Sequence, residues 1–141
     1  MSVSVDSLTP VLILLGSIAG IVVLHEAIHA ALFKLYGGTP RFGVKLIGRF
    51  LPVAYTTSTL QMSRNRYMVV CLGPFVLLTA ILLPIGVLAH SDGTATFALL
   101  LMALNAGGSV GDFVQAGVLR RYDRGTLFQD TEDGFNWRRQ G

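Results

Sequence analysis

The chain has 141 residues, of which 52% are hydrophobic and only 13% charged, and its mean hydropathy is +0.59. An ordinary soluble domain carries about 25% charged residues, so the composition argues against a soluble enzyme and for an integral membrane protein. The net charge of +3 is small. A single cysteine, Cys71, rules out an internal disulfide or a cysteine-built zinc cluster, and its place in an apolar run suits a packed thiol.

Residues 1–8 read as a short polar tail. Three apolar stretches, near 9–36, 67–89 and 94–119, reach the roughly 20 residues a membrane-spanning helix needs. The first has no basic region before it and is too long for a secretory signal peptide. Pro10 suits a helix start, and Gly37-Gly38 followed by Pro40 suits its end. Residues 41–61 are rich in β-branched side chains and predict a β-hairpin, with strands near 42–47 and 53–60 and the turn at 48–52. Ser63 is placed to cap the second helix. His90-Ser91-Asp92-Gly93 predicts a tight turn, and the third helix is expected to run to about Arg120. Residues 121–141 form a mixed-charge tail with no legible structure. The fold expected is a membrane all-α protein: one domain over 1–141, three transmembrane helices, and a short β-hairpin between helices one and two.

Inside the first apolar stretch stands His25-Glu26-Ala27-Ile28-His29, an H-E-x-x-H motif. Residues four apart share a helix face, so His25 and His29 can hold one metal ion together. Glu26 beside them suits a general base. Ionisable groups within a membrane span are costly and rarely lack a task. A catalytic zinc site usually has three protein ligands, which directs attention to Asp112 in the third stretch. His29 lies seven residues before Tyr36 and Asp112 eight before Arg120, so both sit roughly 10–12 Å inside the same end of parallel helices. Asn105, seven residues before Asp112, shares its helix face and is a candidate for hydrogen-bonding a ligand or for binding substrate or an oxyanion. Gly107, Gly108, Ser109 and Gly111 permit close helix approach.

With three spans, all eleven basic residues fall on one side of the membrane. The positive-inside rule then places the chain in the cell membrane with the N-terminus outside and the 37–66 loop, the C-terminus and the opening of the active site in the cytoplasm. Basic flanks of this kind do not indicate nucleic acid, and none is expected as a partner. Oligomeric state is not written in any of these features.

His25, Glu26, His29 and Asp112 together resemble the site-2 protease class of intramembrane metalloproteases. Asn105 resembles the asparagine preceding that class's aspartate, and Gly73-Pro74 after SRNRYMVVCL resembles the glycine-proline of its middle helix. SRNRYMVVCLGP, NAGGSVGD and the lone three-helix core are most similar to the small DUF3267 zincin peptidase family, over roughly residues 20–130. The stretch Asn105-Ala106-Gly107-Gly108-Ser109-Val110-Gly111-Asp112 lacks the prolines and the Leu-Asp-Gly of the usual site-2 pattern. The resemblance implies a three-helix core binding Zn2+ through His25, His29 and Asp112, with a membrane-associated β-region at 41–61.

The function expected is zinc-dependent hydrolysis of peptide bonds in membrane-embedded or membrane-adjacent substrates, with Glu26 as the catalytic base. The partners expected are the lipid bilayer and a membrane protein or peptide substrate. A strand edge at Tyr55, Thr56, Thr57 and Ser58 is placed to hold an extended peptide by β-augmentation. Two other readings remain open at this point: a non-catalytic zinc-stabilised membrane module that binds a partner protein, and a zinc hydrolase with a lipid-phase substrate.

Overall fold

The structure is a computed structural model that describes residues 5–48 and 50–139. Part of the expected N-terminal tail, Arg49 in the hairpin turn and the last two residues lie outside them. The described residues form four helices and five strands: α1 (Val5–Leu35), β1 (Pro40–Ile47), β2 (Leu51–Ser58), β3 (Gln61–Ser63), α2 (Arg64–Val87), α3 (Asp92–Gly108), α4 (Val110–Leu119), β4 (Thr126–Thr131) and β5 (Gly134–Arg139). This is a mixed helix–strand architecture. The all-α expectation is corrected, because the tail contributes strands and the expected third span is broken.

α1 and α2 are each long and apolar enough to cross a membrane, and α3 with α4 passes the same test as a pair bent by 47°. Large apolar side chains such as Leu12, Val23, Ile81 and Leu99 point outward. An apolar surface of that extent is suited to lipid and not to water. Between the helices, Ile21, Leu78 and Leu82 form one buried cluster. Gly73 lets α1 approach α2 closely, since a Cβ there would collide with Leu32.

The break between α3 and α4 has a local cause. Glycine is a poor helix former, and Gly107-Gly108 loosens the chain just before Ser109. The Ser109 hydroxyl then donates to Asn105 O at 2.8 Å, competing for a helix carbonyl. The bend places Asp112 in the first turn of α4, where a carboxylate complements the helix dipole.

α1 ends as its glycines predict. Gly37 takes φ 87°, and Gly38 N–H returns to Phe33 O at 2.8 Å. β1 and β2 then pair antiparallel from Pro40↔Ser58 to Ile47↔Leu51, a tighter hairpin than expected. Ser63 does precede α2, but its side chain makes no capping bond. It is the last residue of β3, paired with Leu127 of β4, so strand runs directly into helix. Ser91 is the side chain that caps, accepting from Thr94 N–H at 3.2 Å.

The tail folds because it is aromatic. Phe128 and Phe135 pack on Tyr67 of α2 and Tyr122 packs on both phenylalanines, with ring centroids 5.2 to 6.2 Å apart. β3, β4 and β5 form a three-stranded antiparallel sheet. Phe33, Met62, Tyr67, Val70, Leu119 and Phe128 join this sheet to the C-terminal ends of α1 and α4 and the N-terminal end of α2 in one buried cluster.

Candidate metal centre and active site

His25 and His29 lie one turn apart on α1 and turn their Nε2 atoms toward each other at 3.2 Å. Asp112 comes across from α4, with Oδ2 3.0 Å from His25 Nε2 and Oδ1 3.5 Å from His29 Nε2. One ligand atom from each residue lies within 4.8 Å of the others, and this group could hold a metal ion. Tetrahedral zinc with bonds of 2.0–2.1 Å needs its ligand atoms about 3.3 Å apart. The two imidazole nitrogens and the carboxylate therefore meet at a separation that fits zinc, and so does their N2O chemistry. Among the described residues no fourth histidine, cysteine or carboxylate joins the group.

One side chain, Asn105, fixes the surroundings of His25. His25 Nδ1 faces Asn105 Oδ1 at a long 3.4 Å, which turns Nε2 toward the metal position. Both amide hydrogens of Asn105 are directed to α2, onto Phe75 O at 3.3 Å and Thr79 Oγ1 at 3.4 Å. Asn105 is 1% exposed and lies behind His25, outside the cavity lining. Of the roles expected of it, its placement fits the contact with a ligand histidine, while its amide hydrogens face α2 and not the cavity where a substrate or oxyanion would lie.

Glu26 lines a cavity of about 220 Å³ together with His25, His29 and Asp112. Its Oε2 is buried and has no hydrogen-bond partner among the described residues. A buried carboxylate oxygen aimed into a metal pocket is poised to accept a proton. Thr56 Oγ1 donates to Glu26 O at 3.2 Å, tying β2 to the turn of α1 that carries Glu26. Of the four strand candidates, Tyr55 and Thr56 line the cavity, while Thr57 and Ser58 do not. Ser58 is buried and accepts from Leu60 N–H.

Sequence reasoning missed the rest of the wall. Tyr67, Gln115, Asp130 and Glu132 also line the cavity. Gln115 had a readable signal, since it stands one turn after Asp112 on the same face of α4. Asp130 and Glu132 had none, because they arrive through strand pairing between β3 and β4. The Tyr67 hydroxyl contacts Asp130 Oδ1 and Gln115 Oε1. Lys45 Nζ donates to Glu132 O and, at 3.1 Å, to Asp133 Oδ1. These contacts bring the β4–β5 turn against the β1–β2 hairpin beside the cavity. Burial pushes the Asp130 carboxyl up to about 6, against the lowering effect of its bonds from Tyr67 and Thr57.

A three-ligand N2O group with a neighbouring glutamate, carried on an H-E-x-x-H helix, is the arrangement of a zincin-type metallopeptidase. The comparisons agree. The model of the family DUF3267, “Putative zincin peptidase”, matches residues 18–127, and the chain belongs to that family. The family implies zinc. No curated protein and no solved structure matches the chain.

Proposed function

We propose that the protein is an intramembrane zinc metallopeptidase of the site-2 protease kind, cleaving membrane-embedded or membrane-adjacent peptides. The observation that carries this reading is the convergence of His25, His29 and Asp112 beside the buried Glu26 carboxylate, on helices apolar enough to span a bilayer. His25 Nε2, His29 Nε2 and the Asp112 carboxylate would hold the zinc. Bound there, zinc lowers the pKa of a water toward neutrality and polarises a carbonyl. Glu26 takes a proton from the attacking water and delivers it to the leaving amine. Asn105 keeps His25 in the tautomer that offers Nε2.

The substrate would reach the site as an extended strand. β2 pairs only with β1 among the described residues, so its other edge is free of strand partners. Tyr55 and Thr56 on that strand line the cavity, which supports docking of a peptide backbone along it. A three-ligand set leaves a coordination position for chemistry, whereas a purely structural zinc site is closed by four. This favours an enzyme over a zinc-stabilised binding module.

The test is metal content and hydrolysis in purified protein. The native chain is expected to carry about one zinc, Asp112→Ala to lose it, and Glu26→Gln to keep it while turnover falls by about 10²–10⁴-fold. Tight zinc retention in Asp112→Ala removes Asp112 from the ligand set. Undiminished turnover in Glu26→Gln removes Glu26 as the base.

A further inference from the structure

With Asn105 turned to α2, the oxygen of a reacting carbonyl needs another donor, and the cavity wall offers one. Gln115 lies on the face of α4 that carries Asp112 and lines the same cavity as Glu26. Its amide is held by its oxygen end. Gln115 Oε1 accepts from the Tyr67 hydroxyl at 3.1 Å and from the Cys71 thiol at 3.6 Å, both on α2. The NH2 end is thereby turned away from α2, and no bond to it occurs among the described residues.

We propose that Gln115 is a catalytic residue that donates from its side-chain NH2 to the substrate carbonyl oxygen as negative charge develops there. This deepens the peptidase reading above and rests on it. The physical need is general: addition of water to a peptide carbonyl gathers charge on one oxygen, and a donor fixed beforehand stabilises that charge without reorganising. A neutral amide suits the place. It adds no charge beside the metal, and it cannot compete with Asp112 for the ion as a carboxylate would.

The fixing network explains two buried groups that the metal centre does not use. Tyr67 has one hydroxyl hydrogen and two oxygens beside it, Gln115 Oε1 and Asp130 Oδ1. A protonated Asp130 gives its hydrogen to the phenol oxygen and leaves the phenol hydrogen for Gln115. Burial raises the Asp130 carboxyl to about 6, so this arrangement holds below that pH. Above it the phenol hydrogen turns to the carboxylate, and the Cys71 thiol remains the donor to Gln115 Oε1. Asp130 and Tyr67 are thus positioning residues, acting through the orientation of the Gln115 amide. They come from distant parts of the chain, and Asp130 lies beyond the residues matched to the family.

The experiment uses the full chain in detergent micelles, with Gln115→Leu and Gln115→Asn. Four quantities are read: zinc content, kcat and KM on fluorescein-labelled casein, and affinity for a phosphinic pseudopeptide, whose anionic oxygens imitate the charged carbonyl. Gln115→Leu is expected to keep its zinc, lose about 10²-fold in kcat with little change in KM, and bind the phosphinate more weakly in proportion. Gln115→Asn, whose donors are drawn back by one methylene, should fall between the two. Unchanged kcat and phosphinate affinity in Gln115→Leu overturn the assignment. Loss of zinc in both variants also overturns it, making Gln115 a support of the metal. A native, zinc-loaded chain that neither cleaves casein nor binds the phosphinate overturns the peptidase reading itself, and this assignment with it.

Discussion

His25 is held through both ring nitrogens, with Nδ1 toward Asn105 and Nε2 toward Asp112 and His29. An imidazole fixed in this way loses little freedom when it binds a metal, and an acceptor at Nδ1 favours the tautomer that leaves Nε2 for the ion. Partners behind a ligand typically contribute 10–100-fold in metal affinity. Asn105→Ala is therefore expected to weaken zinc binding by about that factor while the helices stay folded. Competition with a chelator on the purified protein measures it, and an unchanged zinc affinity would show that Asn105 only bridges α3 to α2. The sequence allowed His25, Glu26, His29 and Asp112 to be singled out because each is an ionisable group in an apolar run, an anomaly visible without coordinates. Asn105 was visible too, and a bond to a ligand was among its expected roles, but the direction of its amide was not legible. Which way an amide faces depends on Phe75 O and Thr79 Oγ1, acceptors on another helix.

Among the elements, the β4–β5 hairpin was the least legible. Its residues carry no clear alternation, and it is held by rings that meet only in the fold: Tyr122, Phe128, Phe135 and Trp137. The β1–β2 hairpin was legible because β-branched residues cluster there, and Gly43 opposite Tyr55 leaves room for the tyrosine ring to lie across it. Asp130 makes the docking of β4–β5 pH-dependent. Its carboxyl rises from an ordinary 3.8 to about 6 in the fold, chiefly by burial. A raised carboxyl pKa means that the docked form binds the proton more tightly. Docking is then strongest below about pH 4, weakens as pH rises, and has lost this contribution above about pH 6. A shift of two units corresponds to about 10²-fold in the opening equilibrium. Hydrogen exchange of the β4 and β5 amides in zinc-free protein, corrected for intrinsic rates, is expected to show that loss, and Asp130→Asn to abolish it. His29 and Asp112 also act on Asp130 and remain in the variant, so an unchanged slope there would assign the effect to them. The free edge of β2 carries its own prediction. Proline at Thr56 or at Thr57 removes one backbone donor, and one of the two is expected to abolish zinc-dependent cleavage with zinc content intact. Full cleavage by both variants would show that β2 does not present the substrate.

At the scale of the whole molecule, the basic residues and the two sheets share one end. Lys34 closes α1, Arg64 and Arg66 open α2, and Arg120 and Arg121 follow α4. The opposite end carries His90 and Asp92 between α2 and α3. The positions of the apolar stretches were readable because hydropathy is a local sum. The 47° break was not, because Gly107-Gly108 alone is compatible with a straight packed helix until Ser109 takes the Asn105 carbonyl. Charge asymmetry decides orientation more than helix shape does. Lys and Arg flanking a span resist transfer across the membrane, so the end that holds them stays in the cytoplasm. This chain is therefore expected to thread with its N-terminus outside, and with both sheets and the mouth of the metal cavity facing the cytoplasm. The same orientation lets water reach Glu26 from the cytoplasmic side and not through the bilayer. The measurement is thiol labelling of intact and permeabilised cells with a membrane-impermeant maleimide. Cys71 is 2% exposed and should stay silent, so single reporters at Ser4→Cys and Gln140→Cys can be read in the native background. Ser4→Cys is expected to label in intact cells, and Gln140→Cys only after permeabilisation. Labelling of Gln140→Cys in intact cells would invert the molecule and place the mouth of its metal cavity on the outer face.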